Sequence, residues 1–272
     1  MVEQEETPKH EMTFMDHLEE LRWVLIRCVV GISIGTLVSF FGYKYVFDDI
    51  LLSPKTPNFF TNRLMCHLAE ILNSPTLCIN SKSFQLINID IAGQFNTHIL
   101  VSVYAGLILA FPYIIYQLWK FISPALYEEE RKKASGAVLI ISFLFIIGVL
   151  FGYFFITPFS VNFLGNYNVS SQVVNQINLT SYISLVSSLS LVSGLVFELP
   201  ILVYFLTKIN IINPTFLKKY RRHAFIVILI IAAVISPPDV LSMTLIAIPL
   251  WLLFEVSIFI SSRIIKSKPI AS

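Results

Sequence analysis

The sequence predicts an all-α membrane protein in which six transmembrane helices form one bundle. Hydrophobic residues make up 56% of the 272-residue chain and charged residues only 13%, whereas a soluble domain carries about 25% charged residues. The apolar residues gather in long runs, and about 20 of them are needed to cross a hydrocarbon core about 30 Å thick. The alternation typical of a β-barrel is missing from the sequence, so helices are the expected way to satisfy the backbone in lipid.

The apolar runs place the six spans in order along the chain. They cover about residues 23–47, 95–119, 137–163, 182–206, 223–236 and 243–261. The fifth run stops at Pro237 and Pro238 because proline cannot continue a helix, and its helix would be only about 21 Å long. We expect the short fifth and sixth spans to thin the bilayer around them. The alternative is that the fifth run forms a re-entrant helix that does not cross.

Positive charge sets the expected topology. If the N-terminus is cytoplasmic, 15 of the 19 lysines and arginines lie in cytoplasmic segments, as the positive-inside rule requires. The chain is then a single membrane domain, 1–272, with a cytoplasmic segment at 1–22, a long external loop at 48–94 and a cytoplasmic tail at 264–272. Both termini are expected in the cytoplasm. The start is acidic and polar, so we expect the first apolar run to be an uncleaved anchor.

The external loop contains two cysteines, Cys66 and Cys78. On this topology both face an oxidising compartment, so we expect a disulfide between them, the alternative being two unpaired thiols. The histidines show no pair at the spacing of a metal site, and the sequence has no phosphate-binding loop and no nucleophile elbow. We therefore expect no metal, no cofactor, no nucleic-acid partner and no enzymatic activity.

Acidic residues border the apolar runs on the predicted cytoplasmic side. Glu19 and Glu20 precede the first span and lie off the apolar stripe that begins at Phe14. A second acidic group, 128–130, follows the second span. Carboxylates held at a membrane surface are suited to binding a cationic segment. The alternative is an ordinary interfacial helix whose charges pair with one another.

Several short motifs lie in order along nearly the whole chain. They lie at 17–22 (HLEELR), 121–127 (FISPALY) with 130–131 (ER), 197–200 (FELP), 236–242 (SPPDVLS) and 247–249 (AIP). Together these motifs resemble those of the TatC family, the receptor subunit of the twin-arginine protein translocase. The long external loop with its two cysteines departs from the shorter loop common in that family.

The resemblance implies a cupped bundle that binds signal peptides with consecutive arginines at its cytoplasmic face. Guanidinium binds a carboxylate through two parallel hydrogen bonds, which lysine cannot copy, so two arginines need two carboxylates. The resemblance assigns these to Glu20 and Glu130, with Arg22 orienting Glu20 and with Gln117 and Phe121 lining the site. The neighbouring glutamates would only add negative potential.

The resemblance also implies partners. The hairpin before the last span would contact the single-span subunits TatA or TatB; the residues concerned are Ser236, Pro237, Pro238, Asp239 and Met243. Met243 stands where some relatives carry a polar residue, so we expect it to pack rather than to hydrogen-bond. The protein would lie in a bacterial inner membrane as a homo-oligomer within its complex. It would contact lipid and export folded proteins with the proton-motive force.

Two glutamates fall within predicted spans, Glu198 in the fourth and Glu255 in the sixth. An ionisable group inside a membrane is costly and therefore indicates a function. The resemblance places Glu198 on the concave face of the bundle, where it would hydrate a groove or contact a partner helix. One alternative is a carboxyl that only bonds a neighbouring helix. Another is a secondary solute transporter that couples ions through both glutamates, although such proteins often contain inverted repeats and we find none in this sequence.

Overall fold

The computed structural model describes residues 14–81, 84–123, 136–168, 170, 172, 175–208, 211–235 and 240–266. Five of its helical segments are long and apolar enough to cross a membrane. They are His17–Phe41, Gly93–Ile122, Ala137–Asn166, Leu179–Lys208 and Ile246–Arg263. The predicted all-α membrane fold is confirmed. The number of crossings and the side on which the termini lie stay predictions.

Helices α1 to α10 follow one another along the described ranges. They are α1 (Phe14–Phe41), α2 (Phe60–Ile71), α3 (Gly93–Ile122), α4 (Ala137–Phe151), α5 (Thr157–Asn166), α6 (Leu179–Val196), α7 (Leu199–Lys208), α8 (Pro214–Lys219), α9 (Arg221–Ile235) and α10 (Val240–Lys266). Shorter helical pieces are the π-helical segments Tyr45–Leu51 and Gly152–Ile156 and the 3-10 turns Ser53–Lys55 and Pro75–Leu77. The strands β1 (Leu86–Ile87) and β2 (Ile177–Asn178) pair in parallel.

Helices α1 and α3 pack antiparallel, so the start of α1 meets the end of α3. At that end the ring of His17 stacks on Phe121 with centroids 4.5 Å apart. Midway along the pair, a Cβ added to Gly35 would lie 2.7 Å from the carbonyl oxygen of Gly106. Small residues let helix backbones approach this closely in lipid. We call the side of the membrane where α1 begins the N-terminal face and the other side the opposite face.

Proline interrupts the third and fourth candidate spans. Pro158 has no N–H to donate to the carbonyl of Phe154. The turn before it is π-helical, over Gly152–Ile156, and a short bulge within an α-helix is the form in which this rare conformation mostly occurs. The next span breaks at 197–198, just before Pro200, for the same reason. The single run predicted for the fourth span is therefore two helices, α6 and α7.

Helices α9 and α10 occupy the positions of the predicted fifth and sixth spans. Helix α9 has 15 residues, or about 22 Å of helix, as short as the sequence predicts. Helix α10 has 27 residues and is longer than the predicted run, because the helix continues through Arg263 and Lys266, which favour helix in water. Its apolar part, Ile246–Arg263, has only 18 residues.

The predicted external loop, 48–94, folds against the bundle at the opposite face. A disulfide joins Cys66 to Cys78, the pair to which the sequence points. Asn62 is fully buried, and its amide donates to the carbonyl of Thr56 at 2.7 Å. A buried amide with its hydrogen bonds satisfied favours one backbone arrangement over others. The described part of this loop is therefore a folded layer and not a flexible linker.

Candidate functional site

A cavity of about 390 Å³ lies at the N-terminal face, between the start of α1 and the end of α3. We call it the N-face pocket. Its lining residues are Glu19, Glu20, Trp23, Val24, Arg27, Lys120 and Phe121. Two carboxylates, two cations and two aromatic rings therefore border one space, which is a composition suited to a charged ligand with a flat face.

One side of α1 supplies most of this lining. The residues at spacing i, i+3, i+4 and i+7, which share one side of an α-helix, are Glu20, Trp23, Val24 and Arg27. Val24 is buried and Glu20 is half-buried, whereas Glu19 and Trp23 are exposed. Glu20 is thus the more buried of the two glutamates, and Glu19 is the more exposed.

The end of α3 supplies the facing wall. Phe121 is held by its stack on His17, and the exposed Lys120 lies beside it. Gln117, one helical turn earlier, is only 7% exposed, and its Oε1 atom has no hydrogen-bond partner among the described residues. Leaving a buried acceptor unpaired costs about 1–3 kcal/mol. Gln117 is not a lining residue of the N-face pocket, so a ligand would have to reach one turn beyond Phe121 to supply a donor to it.

The charges of the N-face pocket balance. Glu19 and Glu20 share the lining with Arg27 and Lys120, so the four formal charges sum to zero. None of the ion pairs between described residues involves either glutamate, so their oxygens are open to a cationic ligand. The acidic group 128–130, which Arg131, Lys132 and Lys133 follow in the sequence, lies outside the described residues.

The structure places the predicted binding residues in different situations. Glu20 and Phe121 line the N-face pocket, and Gln117 lies one turn away on α3. Arg22 is exposed and is not part of the lining, because two residues along an α-helix correspond to about 200° of rotation. Glu130 lies outside the described residues. So do the hairpin residues Ser236, Pro237, Pro238 and Asp239.

Four lining residues were not predicted from the sequence: Trp23, Val24, Arg27 and Lys120. The spacing from Glu20 contains the signal for three of them, since Trp23, Val24 and Arg27 follow it at i+3, i+4 and i+7. Lys120 becomes part of the site only because α3 packs antiparallel on α1. No local pattern in the sequence encodes that pairing.

A second cavity, of about 440 Å³, surrounds Glu198 at the break between α6 and α7. Its other lining residues are apolar and come from α3, α4 and α7: Ile115, Leu118, Trp119, Ile122, Ile141, Ile201, Leu202, Phe205 and Leu206. The Oε1 atom of Glu198 is buried and has no hydrogen-bond partner among the described residues. Because burying a carboxyl group among apolar side chains is costly, its presence here indicates a binding role and not packing alone.

Glu255, the other predicted intramembrane glutamate, has a partner. The guanidinium of Arg221, the first residue of α9, donates to Glu255 Oε2 at 2.7 Å, and the two side chains are 48% and 32% exposed. Glu255 is thus an ion-paired residue close to the N-terminal face. Met243 is half-buried and packs against the apolar cluster that includes Ile246 and Ala247, in agreement with a packing role.

The chain is similar to known translocase proteins over most of its length. The family model described as Sec-independent protein translocase protein (TatC) matches residues 16–249. A protein of that name from Blattabacterium sp. subsp. Periplaneta americana (strain BPLAN) is 43% identical over 96% of this chain and 98% of its own length. The protein of that name from Escherichia coli (strain K12) is 32% identical over 90% of this chain and 86% of its own. The crystal structure of a twin arginine translocase receptor, TatC, superposes with a TM-score of 0.70 at 32% identity, covering 91% of this chain and 98% of that one.

Proposed function

The chain belongs to the TatC family of Sec-independent protein translocase proteins, and from this premise we propose that it binds twin-arginine signal peptides in the N-face pocket. It is a multi-pass membrane component of a protein translocase and not an enzyme. The proposal makes the N-terminal face cytoplasmic, so that folded substrate proteins present their signal peptides to the pocket before transport.

The observation that carries the proposal is the half-buried residue Glu20 in a pocket that also presents Trp23 and Phe121. An arginine guanidinium offers two parallel donors to one carboxylate, and its flat face can stack on an aromatic ring. A lysine ammonium matches neither geometry as well, since it is a compact and strongly hydrated point charge. Such a pocket therefore favours arginine over lysine.

The second arginine needs a second acceptor. We assign this role to Glu130, which the family motif places on the segment that follows α3. The balance of charges within the N-face pocket supports the assignment, because Glu20 and Glu19 are already offset by Arg27 and Lys120. A further carboxylate nearby would increase the attraction for a peptide with two adjacent positive charges.

The proposal also includes partner subunits. We propose that the chain assembles with single-span TatA or TatB subunits, in contact with lipid and with other copies of itself, and that the proton-motive force drives transport. The cavity around Glu198 supports a helical partner, because it is open and its lining is apolar apart from Glu198, one of whose carboxyl oxygens has no hydrogen-bond partner among the described residues. A transmembrane helix with a single polar side chain would complement it.

Binding of a fluorescent twin-arginine signal peptide to the full chain in lipid nanodiscs tests the site. Glu20→Gln removes one negative charge and keeps the volume of the side chain, so we expect at least a tenfold loss of affinity, since hydrogen bonds to charged groups are worth about 1.5–3 kcal/mol. Glu130→Gln should have a similar effect. A Lys–Lys version of the peptide should bind the parent protein clearly less well than the Arg–Arg version.

Glu19→Gln is the matched control, because Glu19 lines the same pocket and carries the same charge but is exposed. We expect it to change affinity less than threefold, mainly through long-range attraction that salt screens. Equal losses for Glu19→Gln and Glu20→Gln would show that the pocket acts only through its overall charge. Unchanged affinity for Glu20→Gln would overturn the site.

A further inference from the structure

Helix α2, in the layer at the opposite face, has three distinct sides. We propose that α2 is an interfacial helix whose exposed apolar side lies among the lipid acyl chains of the leaflet at the opposite face, so that the loop between α1 and α3 is itself a membrane-binding element.

The three sides of α2 follow from its sequence and burial. Successive residues of an α-helix are rotated by about 100°. The apolar residues that are 37–63% exposed fall within an arc of about 80° and are Phe60, Leu64, Leu68 and Ile71. The exposed polar residues occupy the neighbouring arc and are Arg63, His67 and Glu70. The buried residues lie on the remaining side and are Thr61, Asn62 and Ala69.

Hydrogen bonds fix the buried side to the bundle. The hydroxyl of Thr61 donates to the carbonyl of Phe154, the group that Pro158 leaves without its usual helical donor. The side chain of Asn62 accepts from Asn80 at 3.2 Å, and the disulfide ties the middle of α2 to the chain that follows it. The helix therefore cannot rotate to hide its apolar side against the bundle.

The apolar side of α2 continues the surface of the third candidate span. An apolar groove of about 580 Å³ joins the two, lined by Phe60 of α2 and by Ile147, Leu150, Phe151, Phe154 and Phe155 of that span. Phe60 meets Phe154 edge to face, with ring centroids 6.2 Å apart. The exposed surface of a span faces acyl chains, so a surface continuous with it lies at the same depth or just above it.

The polar residues beside the apolar side of α2 favour lipid over a protein as the molecule that contacts it. The polar arc that carries Arg63, His67 and Glu70 borders the apolar arc, which puts polar and charged groups at the height of the lipid headgroups while the apolar side chains enter the acyl region. This is the arrangement of helices that lie in a membrane interface. A helix of 12 residues also covers too little apolar area by itself to make a stable protein interface.

Photocrosslinking of the full chain tests the proposal. Benzoyl-phenylalanine is placed at Leu64, on the apolar side, or at Glu70, on the polar side, and each protein is irradiated in vesicles of phosphatidylethanolamine and phosphatidylglycerol. Mass spectrometry of the products should show lipid adducts at Leu64 at least fivefold more abundant than at Glu70. An intact disulfide reports that each variant has folded, and Ile71 supplies a second apolar position should the first fail to fold.

Two results would overturn the proposal. Equal lipid labelling at Leu64 and Glu70 would show that α2 has no side preferentially in lipid. Adducts at Leu64 with a second copy of the chain, in place of lipid, would show that the apolar side is a protein interface.

Discussion

Glu198 and Glu255 are both carboxylates on apolar helices, but their surroundings give them different roles. Glu255 is bonded to Arg221 at 2.7 Å, and a partly exposed ion pair of this kind contributes only about 0–1 kcal/mol to stability. Glu198 keeps an oxygen without a described partner, in a cavity lined otherwise by apolar side chains. A solute transporter that couples ions through both carboxylates would have to break the pair between Glu255 and Arg221.

Replacing Gln117 by methionine tests whether its buried amide contributes to binding of the signal peptide. The change nearly conserves volume and removes an acceptor that lacks a described partner, so we expect the melting temperature to rise. Affinity for the Arg–Arg peptide should fall about tenfold, because a hydrogen bond to a charged donor is lost. Thermal unfolding in detergent and peptide titration in nanodiscs measure the two effects.

Ser142→Ala is the control for that change. The Ser142 hydroxyl is also buried without a described partner, but it lies on α4, away from the N-face pocket. We expect it to raise the melting temperature and to leave peptide affinity unchanged. Lower stability of Gln117→Met together with normal affinity would mean that the amide serves only the fold.

At the scale of elements, the N-face pocket exists because α1 and α3 approach closely enough to share it. Glu20 comes from one helix and Phe121 from the other. The close approach depends on glycine: an added Cβ at Gly35 would lie 2.7 Å from the carbonyl oxygen of Gly106, a distance that real Cβ atoms do not adopt. The backbone of α1 would have to move to admit a methyl group there, and the pocket would change shape with it.

Gly106→Ala should therefore weaken both the fold and the peptide site. Its Cβ would meet the backbone of Thr36, and overpacking of this kind costs about 1–3 kcal/mol. Gly136→Ala is the matched control, since nothing lies within 4 Å of its added Cβ. We expect a lower melting temperature and weaker peptide binding for Gly106→Ala only. Equal behaviour of the two variants would contradict the role given to the close approach.

Hydropathy predicts where the long helices lie but not how they are broken. The third and fourth runs read as uniform apolar stretches, whereas the structure has a π-helical segment at Gly152–Ile156 and a break at 197–198. Both irregularities precede a proline, so the sequence carries their cause. Their form depends on tertiary contacts such as the Thr61 hydroxyl that reaches the Phe154 carbonyl, which joins residues 93 positions apart.

At the scale of the whole molecule, two of the seven residues that line the candidate site could be predicted from sequence as binding residues. Glu20 and Phe121 come from family motifs, and the structure brings them to one pocket. Arg22 belongs to the same motif as Glu20 but lies outside the lining. Residues that are neighbours in a motif can lie on different sides of an α-helix. Arg27 and Lys120, which balance the charge of the pocket, come from positions that carry no motif and are selected by helix packing.

The number of crossings decides on which side the C-terminus lies. Helix α9 has 15 residues, about 22 Å of helix, which is shorter than the roughly 30 Å hydrocarbon core. If α9 crosses, the membrane is thinned around it, and Arg263 and Lys266 lie on the same side as the N-terminus, as the positive-inside rule favours. If α9 is re-entrant, these charges lie on the other side.

Labelling with a membrane-impermeant maleimide in intact cells distinguishes the two topologies. We introduce Ser272→Cys at the C-terminus and Ile91→Cys, a fully exposed position in the layer at the opposite face; Cys28 is buried and should stay unlabelled. With six crossings Ile91→Cys is labelled in intact cells, and Ser272→Cys is labelled only after the membrane is opened. Labelling of both positions in intact cells would mean that α9 does not cross, and the excess of positive charge near the C-terminus would then contradict the rule on which the topology rests.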